Sequence, residues 1–181
     1  MLSTERLVLR DFTLADAPDI KRLINTREVA LNTLRIPYPY PDGEAERWIS
    51  THSDDGEKHD HIFAVTLREG NEFIGTVGLH VNPDHDMAEI GYWIGVPYWG
   101  HGYATEAAGA VMLFGFETLS LNRIYAMHFA RNPASGRVLQ KLGMRHEGTL
   151  RQHIKKWDEY VDLECYGIVR AEFSSLITGS L

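Results

Sequence analysis

The stretch VPYWGHGYATEAAG, residues 96–109, constrains the chain more than any other, because it sets Gly100, Gly102 and Ala104 at alternate positions between an apolar strand and an alanine-rich helix. A strand that turns into a helix through glycines leaves the first N–H groups of the helix without backbone partners, and the helix dipole favours an anion there. Two well-known phosphate loops do not fit. The G-x-G-x-x-G dinucleotide pattern finds Thr105 where its third glycine belongs, and a P-loop needs a Lys-Ser or Lys-Thr pair that is absent. Two readings remain: an anion site of another kind, or a tight turn that lets helix and sheet approach closely.

The segments around the turn predict an α/β fold in one domain spanning residues 1–181. A strand, RLVLR, is followed by a helix over TLADAPDIKRLIN, opened by Thr13 and Asp16 with Ile20, Leu23 and Ile24 at helical spacing. RIPYPYP holds three prolines that forbid regular structure, so it is expected at a surface, and DGEAERWISTHSDD restarts as a helix with Asp42 as N-cap. HIFAVTLR, EFIGTVGLHV and AEIGYWIGV then form an antiparallel meander, broken by the turn-forming EGN and NPDHDM. ATEAAGAVMLFGFETLS is a helix, NRIYAMHFA a strand and NPASGRVLQKLG a helix stopped by Gly143; MRHEGTLRQHI and EYVDLECYGIVR are the final strands.

Composition excludes several functions. Eighteen basic against twenty-five acidic side chains give a net charge of −7, the wrong sign for a phosphate-backbone binder, so nucleic acid is not an expected partner and a cationic one is. A single cysteine, Cys165, permits no internal disulfide and no Cys-rich zinc cluster, and reads as a small buried hydrophobe in the last strand. Charges at positions 5, 6, 10 and 11 leave no apolar leader or membrane span, which points to the cytoplasm. The histidine groups, His59 with His61 and His80 with Asp84, His85 and Asp86, lack HExxH spacing or a cysteine partner, and no metal is expected.

The loop and its flanks resemble motif A of the GNAT N-acetyltransferases, [Q/R]-x-x-G-x-[G/A], with Trp99, Gly102 and Ala104 at the three landmarks. Trp99 departs from the usual Gln or Arg. TERLVLR, PYPYPDGEAERWI, AEIGYWIG, PYWGHGYATEA and NPASGRVLQKLGMRHEGTLR are similar, in this order, to the RimJ/RimL branch, which acetylates protein N-termini, over residues 3 to about 170. The resemblance implies a mixed, mostly antiparallel sheet with flanking helices, splayed at its centre where AEIGYWIGV and IYAMHF part like a V. It implies acetyl-CoA as cosubstrate, its pyrophosphate on the loop formed by Gly100, His101, Gly102, Tyr103, Ala104 and Thr105, and its pantetheine on main-chain groups of Ile94, Gly95 and Val96 and on Asn132. His101 is equally compatible with solvent.

Transfer of acetyl from a thioester to an amine needs the amine deprotonated, the negative charge developing on the thioester oxygen stabilised, and a proton for the leaving thiolate. Glu89, at the start of an otherwise apolar strand, is the candidate base, the alternative being a strand-end glutamate facing water; a bulge at Gly91 or Gly95 would decide its face. Ser135 lies near the sulfur by resemblance, though Asn132 and Ser135 could equally cap the helix that Pro133 opens. Tyr38, Tyr40 and Trp48, with Trp157 and Tyr160, would wall the acceptor groove or serve as packing. The expected acceptor is a protein or peptide N-terminal amine, with a polyamine or aminoglycoside-like amine as alternative, a CoA-binding module without turnover as a third reading, and a monomer or homodimer as the assembly.

Overall fold

The computed structural model describes residues 1–52 and 59–178, and one eight-stranded sheet runs through them. The strands are β1 (Leu2–Ser3), β2 (Leu7–Arg10), β3 (Asp60–Leu67), β4 (Phe73–Asn82), β5 (Met87–Ile94), β6 (Arg123–Phe129), β7 (Arg145–Lys156) and β8 (Glu159–Val169). Six helices accompany them: α1 (Ala17–Ile24), α2 (Arg27–Leu31), α3 (Glu44–His52), α4 (Tyr103–Glu117), α5 (Pro133–Lys141) and α6 (Arg170–Thr178). The spatial order is β1-β2-β3-β4-β5-β6-β8-β7, with every neighbouring pair antiparallel except β5 and β6. That exception follows from connectivity, since β5 reaches β6 only after a helical crossover through α4, and a crossover returns the chain in the same direction.

The centre of the sheet splits. β5 and β6 pair at only three rungs, Met87 with Arg123, Ala88 with Ile124 and Glu89 with Tyr125. Past them β5 stays with β4 as far as Ile94, while β6 stays with β8 as far as Phe129. The splayed centre that the family resemblance implied is therefore present.

Strand alternation separates two cores. Ala88, Ile90 and Ile94 on β5 meet Ala107, Ala108, Val111, Met112 and Phe116 of α4 on one face. Near its C-terminal end the helix lies close because Gly115 carries no side chain: a β-carbon there would fall 2.9 Å from Ile124 Cδ1 and Leu79 Cδ1. On the opposite face Ile20, Leu23 and Ile24 of α1 and Ala45 and Ile49 of α3 enclose Phe73, with Trp48 and Trp93 at the margin. A third cluster, Phe129, Val161 and Leu163 with Met127 and Ile154, lies between β6 and the last hairpin.

Several local expectations change. A 3-10 turn over Leu14–Asp16 precedes α1, and the two short elements α2 and β1, like the terminal α6, are additions. Gly43, not Asp42, stands at the start of α3, because its carbonyl accepts the Arg47 N–H at 3.1 Å while the exposed Asp42 carboxylate pairs with Lys21. Residues 53–55 of the expected helix lie outside the described residues. β5 keeps an unbroken register with β4 through Gly91; the irregularities fall at Val65/Thr66 in β3 and at two places in β7. Gly143 does end α5, at φ +78 with its N–H on Gln140 O.

Asp16 anchors the first helix to the sheet. Its carboxylate accepts from Arg10 Nη1 and Nη2 at 2.8 and 2.7 Å and from the Thr13 N–H at 2.8 Å. Burial alone would raise its pKa, but the Arg10 fork and the Thr13 N–H outweigh that and hold it below the usual carboxylate value. A depressed folded pKa adds stability above the unfolded value near 4, and that contribution is lost as pH falls through the folded one. Asp16→Asn should therefore lower stability near neutral pH by about 2–3 kcal/mol, a drop of roughly 5–10 °C in Tm. The parent's advantage should shrink below about pH 4, as thermal melts at several pH values would show.

Candidate active site

The glycine turn has the geometry its sequence suggested. Gly100 and Gly102 hold φ of +80 and +82, a region closed to most side chains, and Gly102 is the N-cap residue from which α4 starts. A β-carbon at Gly100 would meet nothing within 4 Å, so the turn is open there, and one at Gly102 would meet the Arg6 guanidinium at 3.4 Å. That open backbone, at the N-terminus of a 15-residue helix, fits a pyrophosphate.

A brace that sequence reasoning missed holds the loop from outside. Arg6 Nη1 donates to the His101 carbonyl at 2.9 Å, Arg6 Nε donates to Glu106 Oε2 at 2.7 Å, and the Arg6 N–H reaches Glu106 Oε1 at 2.9 Å. Thr4 Oγ1 donates to the same Oε1 at 2.6 Å. Burial would raise the Glu106 pKa, yet Thr4 and Arg6 overcome it and keep the carboxylate below its ordinary value. The guanidinium also lies 4.8 Å over the Tyr103 ring, which stacks on His101. The only sequence signal was TERLVLR in the resemblance; nothing local could connect residues 100 positions apart.

Ile94, Gly95 and Val96 form the hinge between strand and loop, and much of their main chain is engaged. The Ile94 carbonyl accepts Trp99 Nε1 at 2.6 Å, the Gly95 N–H donates to Ile74 O at 2.9 Å, and the Gly95 and Val96 carbonyls accept from Tyr98 and Trp99. Trp99, the odd landmark residue, thus ties the loop back to the end of β5.

Glu89 occupies the last rung before the strands part. Register sets Asp60, His80, Glu89 and Tyr125 side by side across β3, β4, β5 and β6, on the face that carries α1 and α3. Direct cross-strand neighbours hold their β-carbons about 4.5–5.5 Å apart, and His80 Nδ1 meets Asp60 Oδ2 at 3.0 Å. Glu89 is half-buried, neither in the α4 core nor fully in water. Burial and then its charge raise the Tyr125 pKa; burial, Glu147, Glu164 and lastly Glu89 raise that of the half-buried Cys165 thiol. Among the described residues no group of three His, Cys, Asp or Glu side chains is placed to hold a metal ion.

Asn132 is the N-cap of α5: its Oδ1 accepts the Ser135 N–H at 3.3 Å, leaving the amide Nδ2 for another partner. Ser135 Oγ lies 2.9 Å from the Tyr92 hydroxyl across the split, a contact no motif announced. On the acceptor side the aromatics divide. Tyr38, Trp157 and Tyr160 are exposed, whereas Tyr40 is buried in the second core with its pKa pushed up to about 12 chiefly by burial, and Trp48 packs edge-on against Phe12. Lys156 Nζ joins the two regions by donating to Leu34 O and Ile36 O at 3.1 and 3.0 Å, and Arg131 donates to Leu31 O.

An anion loop at a helix start beside a split sheet defines a class, and the comparisons agree with it. Residues 6–145 match the family described as the acetyltransferase (GNAT) domain. The chain is 35% identical over 172 residues to the uncharacterized N-acetyltransferase YoaA of Bacillus subtilis (strain 168), covering 94% of this chain and 97% of that one. It resembles a GNAT-family acetyltransferase from Bacillus anthracis at 28% identity and a TM-score of 0.83, covering 94% and 98% of the two chains. The fold also matches a spermidine N-acetyltransferase from Vibrio cholerae in complex with CoA and spermine, at 24% identity and a TM-score of 0.81, covering 94% and 99%. The chain belongs to the GNAT family and is an acetyl-CoA-dependent N-acetyltransferase.

Gly102→Asp forces a side chain onto a backbone at φ +82 and brings a like charge to the phosphate loop, with its β-carbon on the Arg6 side. CoA affinity in calorimetry should fall by about 100-fold or more, and by about tenfold in Arg6→Met, which removes the brace and leaves the amides. Near-parent affinity in Gly102→Asp would place the pyrophosphate elsewhere.

Proposed function

We propose that residues 1–181 form one acetyltransferase domain of the RimJ/RimL type, acting in the cytoplasm on the N-terminal amine of a protein or peptide. The observation that carries the amine chemistry is Glu89 at the mouth of the split, flanked by His80 and Tyr125 on the face opposite the α4 core. In this reading Glu89 takes the proton of the attacking amine, directly or through water, and the Ser135 hydroxyl lies against the leaving sulfur. The loop amides from Gly100 to Thr105 hold the pyrophosphate and Asn132 Nδ2 the pantetheine. The exposed Tyr38, Trp157 and Tyr160 line the acceptor's approach.

Charge near that approach favours a peptide. Lys156 places one cation beside the proline loop, where a polyamine with several positive charges is repelled more than an N-terminus with one; Arg131, paired with Glu159 at 3.0 Å, adds no net charge there. Against this stands the net charge of −7, which attracts any cation, and the spermine bound by a protein of the same fold. A polyamine acceptor is therefore the second reading. Release of CoA thiol, measured with peptides beginning Ala, Ser or Met and with spermidine and an aminoglycoside, separates the two by kcat/KM. No release with any amine would leave a CoA-binding module.

Glu89→Gln should keep the affinity for CoA and lower kcat by about 10² or more. The deficit should shrink as pH rises toward the pKa of the acceptor amine, because free amine then needs no base. A constant deficit from mildly acid to mildly alkaline pH would make Glu89 a structural residue, and parent-like rates would assign the proton to another group or to solvent.

A further inference from the structure

Tyr92 has no place in the function described so far. It lies on β5 past the last rung shared with β6, on the α4 face, with its ring against the first core. Its hydroxyl reaches out of that core to Ser135 on α5, 2.9 Å from Oγ and 3.3 Å from the carbonyl. Through this contact one lip of the split touches the helix that begins just beyond the other. Nothing in the core requires a phenol there, and phenylalanine would fill the same volume.

We propose that Tyr92 is a positioning residue for the leaving group: its O–H donates to Ser135 Oγ, which turns the serine proton toward the sulfur of the thioester. The proposal rests on the reading of Ser135 given above. Hydrogen-bond counting supports it. Tyr92 and Ser135 own one hydroxyl proton each; the Tyr92 proton has two acceptors in reach, Ser135 Oγ at 2.9 Å and the Ser135 carbonyl at 3.3 Å, and given to the nearer it leaves the serine proton for sulfur. Without that donor, a serine in the first turn of a helix is free to turn back to a backbone carbonyl three or four residues before it.

Acidity decides what the pair does. Burial, only partly offset by the Ser135 contact, pushes the Tyr92 pKa up to about 12, whereas an alkyl thiol titrates near 8.5. A thiolate does not take the phenol proton outright, so Tyr92 keeps it. The amine nitrogen bonds to the acetyl carbon; as the carbon–sulfur bond then breaks, its electron pair goes to sulfur and the amine proton goes to the base. Ser135, polarised by Tyr92, donates a hydrogen bond to the new thiolate. Solvent protonates the thiolate on release.

The test uses CoA itself and needs no acceptor. The pKa of the bound thiol is read from thiolate ultraviolet absorbance, as a difference from CoA-free protein, for the parent, Tyr92→Phe, Ser135→Ala and the double variant. A donor lost from the thiolate raises that pKa, by about one pH unit in Ser135→Ala and about half as much in Tyr92→Phe. The double variant should match Ser135→Ala, since Tyr92 acts only through the serine. Thermal midpoint and CoA affinity should stay near the parent's in Tyr92→Phe. A raised thiol pKa in Ser135→Ala with none in Tyr92→Phe overturns the role of Tyr92 and leaves Ser135 in place. A parent-like pKa in Ser135→Ala removes both. Loss of stability or CoA affinity in Tyr92→Phe with an unchanged thiol pKa makes Tyr92 structural.

Discussion

Three rungs between β5 and β6 hold the two halves of the sheet together, and the site depends on there being no more. Elsewhere in the sheet neighbouring strands satisfy each other's backbone groups. Past Glu89 and Tyr125 the facing edges are left without a strand partner, and an unpaired edge is a row of donors and acceptors open to an extended ligand. The pantetheine arm of CoA is such a ligand. The split persists because each lip is held from its other side, β5 by β4 to Ile94 and β6 by β8 to Phe129, so the gap cannot close without breaking a longer ladder.

The split also joins two faces that the rest of the sheet keeps apart. Glu89, His80 and Asp60 lie on the α1 and α3 side, while Tyr92 and Ser135 meet on the α4 and α5 side. Alternation along β5 is the cause, since odd and even residues of one strand point opposite ways. In the proposed reaction the acceptor's proton is handled on one face and the leaving sulfur on the other.

The N-terminus contributes more than a sheet edge. Arg6 and Thr4 grip Glu106 in the first turn of α4 and Arg6 holds the His101 carbonyl, so the loop's shape is set by the connection between β1 and β2. A left-handed glycine pair is the most flexible backbone the chain owns, and ordering it on binding carries an entropic cost. Side-chain bonds that hold it in the bound shape beforehand reduce that cost. At the other end Lys156 does comparable work, fastening the final hairpin to the proline loop by two carbonyls.

Local pattern carried much of the fold. The meander, α4, α5 and the last hairpin were legible because apolar spacing, proline and turn glycines act over a few residues, and Gly143 and the Gly100–Gly102 turn behave as their backbone freedom requires. Less legible were α2, only five residues long although Thr26 caps it, and the terminal α6. Resemblance supplied the split and proposed Glu89 and Ser135, but not what stands next to them. Tyr92 beside Ser135, Arg6 beside Glu106 and the Asp60–His80 pair next to Glu89 join residues far apart in the chain, and no spacing rule reaches across such a gap. What the sequence alone determined was the elements and the place of the anion loop, since both arise from neighbours along the backbone. Only the tertiary structure decided which face Glu89 takes, that Tyr40 is core and Tyr38 surface, and which hydroxyl holds Ser135, because each depends on strand register and on packing between distant segments.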